Sequence, residues 1–225
     1  MPFINILLTA AICYLIGSIP FGLIIVKVVT GKDVRQIGSG RTGGTNAMRA
    51  AGFLAGAATA ILDVMKGVAS GWIAEWLVPG DPWLKVLAAI FALWGAIHSI
   101  FLAEKDESGR LRLRGGAGGA TGLGGAIALW NPSILIILPV GALIYLFVGY
   151  ASVTTISVAV SALIIFAIRA FVDNQPAQYI AFGVAALVTV LYALRPNLKR
   201  LKEGTERVVG LRAYFRKKQK QFRFK

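Results

Sequence analysis

Apolar runs long enough to cross a lipid bilayer recur along this sequence of 225 residues, and most charged residues lie in the gaps between them. A transmembrane helix needs about 20 apolar residues, with a range of roughly 17–25. The runs are Ile4–Val29, Thr59–Val78, Trp83–Ala103, Ala120–Trp130, Ile134–Tyr150, Thr154–Phe171 and Ala177–Leu194. The sequence therefore predicts an all-α, polytopic membrane protein with about seven transmembrane helices, one of them half-length.

Two of these helices are expected to be irregular. Gly17-Ser18-Ile19-Pro20 interrupts the first, and a proline inside a helix removes a hydrogen bond and kinks the backbone. The short run Ala120–Trp130 opens on glycines. Short segments of this kind are typical of broken or tilted helices whose N-termini face a polar site.

The distribution of charge predicts the orientation. The chain carries 24 Lys and Arg against 10 Asp and Glu, a net charge of +14. The basic residues concentrate in two loops, 31–49 and 104–119, and in the tail from Arg195, which holds twelve of the 24. Because cytoplasmic loops are enriched in Lys and Arg, the N-terminus is predicted outside and the C-terminus in the cytoplasm.

The first basic loop, Gly31–Arg49, has the composition of an anion-binding loop. Its five glycines let the backbone turn and present N–H groups to an anion. Arg41 and Arg49 offer planar guanidinium groups that fit phosphate or carboxylate. The spacing Gly38-x-Gly40-x-x-Gly43 matches a dinucleotide fingerprint, but it follows a membrane span instead of a β-strand, so a nucleotide site is disfavoured.

The second basic loop ends in the glycine-rich run RGGAGGATG, residues 114–122. The run lacks the Gly-Lys-Ser/Thr ending of an ATP-binding phosphate loop. Two interpretations stay open: it binds an anion together with Arg114, or its small residues let helices approach closely. Asp63 and Lys66 in the second span are likewise either an ordinary ion pair or part of a site.

Histidine and cysteine are too few for several common kinds of site. His98 is the only histidine and Cys13 the only cysteine. The sequence therefore offers no recognisable catalytic triad, no cluster with metal-ligand spacing and no internal disulfide. No metal and no cofactor are expected.

The end of the chain, LRAYFRKKQKQFRFK, is basic with interleaved aromatic residues. We expect residues 208–225 to form a cytoplasmic tail after an integral-membrane domain of residues 1–207. A polybasic segment beside a membrane is attracted to anionic headgroups by about 1 kcal/mol per Lys or Arg. Lipid is therefore favoured over nucleic acid as the partner of the tail.

Several motifs, in chain order, resemble those of the bacterial integral-membrane acyl-phosphate:glycerol-3-phosphate acyltransferases. The similarity begins with YLIGSIPFGLIIVK and DVRQIGSGRTGGTNAMRAAG and continues with ILDVMKG, His98 with RGGAGGATG, Tyr150-Ala151-Ser152 and NLKRLKEGTE. It covers nearly the whole chain through Arg207, with an insertion around Asp106–Arg112.

The resemblance implies transfer of an acyl group from acyl phosphate to the 1-hydroxyl of glycerol 3-phosphate, which forms lysophosphatidate in phospholipid biosynthesis. It also implies a location in the bacterial inner membrane, with the active site on the cytoplasmic face. Motif positions give the catalytic candidates Ser39, Arg49, Ser152 and Asn197. The substrate-binding candidates are Gly38, Gly40, Arg41, Thr45, Asn46, Lys66, Arg114, Gly115, Gly116, Gly118 and Glu206.

Three features depart from the family pattern. Arg41 replaces an asparagine, and Leu194 replaces a histidine. Arg114 and Ala117 stand where the glycine motif has lysines. Because two basic side chains are missing, the alternative stays open that this is a catalytically degenerate relative, which binds a phosphorylated ligand or scaffolds lipid-synthesis enzymes. A small-solute transporter is less favoured, since the two halves show no repeat.

Overall fold

The computed structural model describes residues 3–105 and 108–223. Its longest helices are α1 (Phe3–Ser18), α4 (Phe53–Leu77), α5 (Pro82–Ile97), α8 (Ala151–Val172), α9 (Gln178–Ala193) and α11 (Gly210–Arg223). The shorter ones are α2 (Phe21–Thr30), α3 (Gly44–Ala51), α6 (Gly119–Leu129), α7 (Ile134–Leu143) and α10 (Arg195–Lys202), and a π-helical turn, Ile144–Val148, follows α7. Within the described ranges the only sheet is a hairpin of β1 (Ala103–Lys105) and β2 (Leu111–Leu113), so the all-α prediction is confirmed apart from these short strands.

Five described helical segments are long and apolar enough to cross a membrane: Phe3–Thr30, Phe53–Leu77, Pro82–Leu102, Asn131–Val148 and Ala151–Val172. Helices α9 and α10, bent by 63° from each other, make a sixth if they count as one span, and α6 is the expected half-length helix. The polytopic architecture is therefore confirmed. The total of seven and the orientation of the termini stay predictions.

The second span begins at Phe53 and not at Thr59 as expected. Helix α3 ends at Ala51, and the φ of 88° at Gly52 lets the chain change direction within one residue, so that α4 starts immediately. The positive φ favours glycine here, because other L-residues adopt it only with strain.

The first span breaks where its proline predicts. At the end of α1 and just after it, the carbonyl oxygens of Gly17 and Ile19 each accept a hydrogen bond of 2.9 Å from Nζ of Lys66 in α4. The same Nζ lies 2.9 Å from Oδ1 of Asp63. Lys66 is only 5% exposed, and these three acceptors match its three N–H groups. The ammonium group therefore fixes the broken span to α4.

Helix α6 packs on α4 with almost no space between the two backbones. A Cβ added to Gly124 would lie 2.0 Å from the Val64 carbonyl oxygen, and one added to Gly67 would lie 2.3 Å from that of Thr121. Only glycine fits at such distances. The end of the glycine-rich run, at Thr121, thus packs against α4, which agrees with the second of its two interpretations.

The insertion lies within the second basic loop and forms the hairpin of β1 and β2, although Asp106 and Glu107 are outside the described residues. Its first strand carries Glu104, which forms ion pairs with Arg35 of the first loop and with Nε of Arg114 in the second, the latter at 3.2 Å. The hairpin therefore connects the two loops.

The main core lies between α5, α6, α8 and α9, where Phe166 contacts Phe182 edge to face. Many large apolar side chains point outward instead, such as Trp72, Trp76 and Phe171, which are 68%, 80% and 82% exposed. An apolar surface of this extent is typical of a protein surrounded by lipid.

We expect Lys66→Met to lower thermal stability strongly, because it leaves two carbonyl oxygens and the Asp63 carboxylate without their donor. Removing one partner of a buried ion pair costs about 3–5 kcal/mol. The midpoint of thermal unfolding in detergent measures the effect. Lys85→Met is the matched control, because Nζ of Lys85 lies 2.6 Å from Oε2 of the half-exposed Glu75. Such exposed ion pairs contribute about 0–1 kcal/mol to the free energy of unfolding. Equal losses in the two variants would contradict this role of Lys66.

Candidate functional site

A cavity of about 880 Å3 lies between the two basic loops, α4, α7 and α8. The sequence candidates in its wall are Ser39, Arg41, Thr45, Asn46, Arg49, Lys66, Gly116, Gly118, Ser152, Asn197 and Glu206. Four other candidates lie outside the wall: Gly38, Gly40, Arg114 and Gly115. Residues far apart in the sequence are thus brought to one site, and the geometry separates those that face the cavity from those that support it.

The side-chain amide of Asn46 holds the first loop in shape. Its Oδ1 accepts a hydrogen bond of 3.1 Å from the backbone N–H of Ser39. Its Nδ2 donates to three backbone carbonyls at 2.8–3.0 Å, those of Val34, Ile37 and Arg41. Gly38 has a φ of 56°, and a Cβ there would lie 2.4 Å from Oδ1 of Asn46. Asn46 therefore uses its amide within the protein.

The guanidinium group of Arg41 reaches from the first loop to the end of α9. One nitrogen, Nη2, donates to the carbonyl oxygen of Ala193 and lies 3.1 Å from Oδ1 of Asn197. The other, Nη1, lies 3.5 Å from the carbonyl oxygen of Gly116 in the second loop. Burial lowers the pKa of Arg41, but arginine stays protonated at neutral pH. Its described hydrogen-bond acceptors are all uncharged, so no direct carboxylate partner neutralises this cation.

The carboxylate of Glu206 orients Asn197. Its Oε1 accepts a hydrogen bond of 2.9 Å from Nδ2 of Asn197, and its Oε2 accepts one of 3.1 Å from Nε of Arg200. Glu206 is 6% exposed. Asn197 therefore lies between Glu206 and Arg41, with its amide nitrogen and oxygen both bound.

Arg49 and Arg207 add two further guanidinium groups to the wall. Among the described residues neither has a hydrogen-bond or ion-pair partner. Burial lowers the pKa of Arg49, and the nearby charge of Arg207 lowers it further. The charge of Glu206 acts in the opposite direction and raises the pKa of Arg49, but no described carboxylate is hydrogen-bonded to either guanidinium group. Two neighbouring cations of this kind favour the binding of a multiply charged anion.

Three helices begin at the cavity: α3 at Gly44, α6 at Gly119 and α8 at Ala151. A helix N-terminus presents free N–H groups and about half a positive elementary charge. In the first turn of α8, Ser152 is 2% exposed, and its Oγ has no hydrogen-bond partner in the described part of the chain. Ser152 is therefore placed to bind a ligand in the cavity.

The other side of the cavity is apolar. It lies between α4 and α7 and is lined by Phe53, Ile61, Met65, Leu138 and Leu146, all of them 40% exposed or more. From Ile134 to Leu146 this side follows about 18 Å of helix, at 1.5 Å per residue. An apolar groove therefore runs from the outer, lipid-facing surface to the charged end of the cavity.

Comparison with known proteins decides the family. A family model described as glycerol-3-phosphate acyltransferase matches residues 7–204. The glycerol-3-phosphate acyltransferase of Rubrobacter xylanophilus is 36% identical over 200 residues, which are 89% of this chain and 93% of that one. The Thermus thermophilus protein of the same name is 33% identical over 211 residues, 91% and 96% of the two chains. This chain belongs to the glycerol-3-phosphate acyltransferase family.

Solved structures agree with this membership. The fold matches the crystal structure of PlsY (YgiH), an integral membrane glycerol 3-phosphate acyltransferase, in its glycerol 3-phosphate form with a TM-score of 0.78 and 30% identity. That match covers 91% of this chain and 96% of the other. The lysophosphatidic acid form matches with a TM-score of 0.75 and 28% identity.

The departures from the family motifs meet at one corner of this acyltransferase. Ala117 and Leu194 both line the cavity. Ala117 directly follows Gly116, and Leu194 directly follows Ala193. The carbonyl oxygens of Gly116 and Ala193 both face the Arg41 guanidinium. The cation of Arg41 therefore lies beside the two positions at which the motif's basic residues are absent.

Sequence reasoning missed Tyr145 and Arg207 in the wall of the acyltransferase cavity. Tyr145 lies in the π-helical turn, with its hydroxyl 3.9 Å from Sδ of Met48. Such turns are frequent at functional sites, but an apolar run gives no sign of where one will form. Arg207 follows the last motif directly, and one more basic residue in a basic tail does not stand out.

We expect Asn46→Ala to loosen the first loop without unfolding the protein. The change removes the hydrogen bonds of one side-chain amide, each contributing about 0.5–1.5 kcal/mol, so amide hydrogen exchange in residues 34–42 is expected to accelerate about 100-fold or more. Hydrogen-exchange mass spectrometry measures it. Asn131→Ala, in an exposed turn, is the control. Unchanged exchange in residues 34–42 would show that Asn46 does not hold the loop.

Proposed function

We propose that this protein transfers an acyl group from acyl phosphate to the 1-hydroxyl of glycerol 3-phosphate, forming lysophosphatidate and inorganic phosphate. One observation carries the proposal: a single cavity joins unpaired guanidinium groups and helix N-termini to an apolar groove open to the lipid-facing surface. A water-soluble phosphate ester suits the charged end, and a fatty acyl chain suits the groove.

In this proposal Arg49 and Ser39 bind the phosphate of the acceptor, since the Arg49 guanidinium has no described protein partner. Ser152 and the N–H groups at the starts of α6 and α8 bind the phosphate of the donor, near Gly116 and Gly118. Asn197 and Glu206 position Arg41. Thr45 contributes a hydroxyl to the wall. Lys66, Asn46, Gly38, Gly40, Arg114 and Gly115 support the loops and do not contact substrate.

The chemistry needs no nucleophile from the protein. The acceptor hydroxyl oxygen attacks the acyl carbonyl carbon, and the bond from that carbon to the phosphate oxygen breaks, because acyl phosphate is an activated mixed anhydride. The hydroxyl proton passes to a phosphate oxygen of the acceptor, and inorganic phosphate leaves with the electron pair. Positioning and the neutralisation of phosphate charge then account for the rate enhancement.

The chain is a multi-pass membrane protein, and we further propose that it lies in the bacterial inner membrane with the cavity on the cytoplasmic face. The concentration of Lys and Arg in the loops and tail supports this orientation. The donor then enters from the lipid, the acceptor enters from the cytoplasm, and the basic tail, residues 208–225, binds anionic headgroups.

The first test is turnover. We expect purified protein to form lysophosphatidate from acyl phosphate and glycerol 3-phosphate without acyl-CoA. Arg49→Ala is expected to lower kcat/KM about 10- to 150-fold, which corresponds to one charge-assisted hydrogen bond of about 1.5–3 kcal/mol. Arg195→Ala is the matched control, because Arg195 stacks on Tyr192 outside the cavity wall. No product from the unmodified protein would support the degenerate relative instead.

A second test concerns the corner with the missing basic residues. We expect Arg41→Met to lower kcat/KM about 10-fold or more, and Ala117→Lys to restore part of the loss in that background, because both side chains place a cation beside Gly116. In the unmodified protein Ala117→Lys is expected to change kcat/KM little. A large gain there would show that the corner lacks a needed charge and that Arg41 does not supply it.

A further inference from the structure

Helix α11, which lies in the basic tail proposed above to bind anionic headgroups, is a basic amphipathic helix with no part yet in the acyl transfer itself. It lies beyond the family match, which ends at residue 204. Residues 210–223 include six Lys or Arg and no Asp or Glu. Leu211, Tyr214 and Phe215 recur at helical spacing on one face, and they are 40%, 61% and 57% exposed.

The start of α11 packs beside the junction between two consecutive candidate membrane spans. The helix contacts chiefly the π-helical turn, whose last residue, Val148, ends one candidate span, while Ala151 begins the next. A Cβ added to Gly210 would lie 2.3 Å from the Tyr145 carbonyl oxygen. The guanidinium carbon of Arg212 lies 4.7 Å from the Tyr150 ring centroid. The exposed face of α11 therefore begins at the boundary between membrane and water.

The segment before α11 reaches the cavity. Val208 pairs with Tyr150 in an antiparallel bridge, and the Val209 N–H donates to the Gly149 carbonyl oxygen at 2.9 Å. These contacts hold the preceding residue, Arg207, in the cavity wall near Arg49. Only two residues, Val208 and Val209, separate this cation at the cavity from the start of α11, so the two positions are linked.

We propose that α11 lies in the membrane interface bound to anionic phospholipid, and that this contact keeps Arg207 at the cavity and raises the enzyme's affinity for its phosphorylated acceptor. The basic charge of α11 complements that of anionic headgroups, and the helix starts where membrane spans end. An amphipathic helix with basic residues binds a lipid surface through buried apolar area and attraction to anionic headgroups. The statement about affinity rests on the proposed function, whereas the statement about lipid contact does not.

Lipid contact can be tested with fluorescent labels on the full chain. Phe215→Cys places a polarity-sensitive label on the apolar face of α11, and Arg216→Cys places one on the charged face as the matched control. The natural Cys13 is buried, which protects it from the reagent. The proteins are reconstituted in vesicles of phosphatidylcholine alone or with phosphatidylglycerol added. Quenching is measured with iodide in water and with a nitroxide on the lipid chain.

In vesicles with phosphatidylglycerol we expect the label at 215 to be protected from iodide and quenched by the lipid nitroxide. The label at 216 is expected to stay accessible to iodide in both kinds of vesicle. A label at 215 that stays accessible to iodide would overturn the proposal, and so would equal protection without anionic lipid. Protection that grows with the density of protein in the vesicle would identify a second copy as the occupant and would also overturn it.

Acyltransferase activity tests the link to the cavity. We expect phosphatidylglycerol to lower KM for glycerol 3-phosphate about fivefold or more, the lower end of usual coupling between sites. The double variant Arg216→Gln with Lys218→Gln is expected to lose this dependence and to keep the activity measured in neutral vesicles. A dependence that survives in the double variant, or that is absent in the unmodified but active enzyme, would overturn the link. Absence of turnover in every vesicle would instead count against the proposed function, and the label measurement would still decide lipid contact.

Discussion

The contact on which the cavity depends is the Lys66 ammonium group, bound to two backbone carbonyl oxygens and one carboxylate. A break in a transmembrane helix exposes carbonyl oxygens, and an unsatisfied polar group in an apolar environment costs several kcal/mol. Lys66 supplies the missing donors. The next residue, Gly67, contacts the backbone of α6. Two consecutive residues of α4 therefore fix both the broken first span, which precedes the first basic loop, and the half-length helix, which follows the second.

The second constraint is an imbalance of charge. A buried cation in a protein usually has a carboxylate partner. Among the described residues, the carboxylates in the cavity wall are those of Asp63 and Glu206, and both are bound by other groups. Three guanidinium groups remain at the wall without a carboxylate hydrogen-bonded to them in the described ranges, those of Arg41, Arg49 and Arg207. An excess of positive charge of this kind is stable only with a bound anion or with water, and a reaction between two phosphorylated substrates makes direct use of it.

These two constraints explain which features the sequence could predict. A lipid environment requires long apolar runs, and a proline inside a helix interrupts it. The spans and the division of the first span at Pro20 were therefore predicted. Motif order placed Ser39, Arg49 and Ser152 at one site. Whether a polar side chain faces ligand or protein was not predictable, because it depends on distant backbone. Lys66 binds carbonyl oxygens up to 49 residues away in the chain, and no local pattern records that contact.

The absence of the motif's basic residues at positions 117 and 194 is a second feature whose consequence the sequence alone could not predict. A motif records residue types at positions in the sequence, whereas a bound phosphate responds to charges at positions in space. Arg41 extends from another loop, and its guanidinium lies beside both positions. Its bonds to two carbonyl oxygens and to Asn197 hold it more rigidly than a free lysine, and Leu194, 1% exposed, fills space next to it. The resulting corner has one fixed cation where the motif has two basic residues, so the position of its charge is well defined and its total charge is smaller.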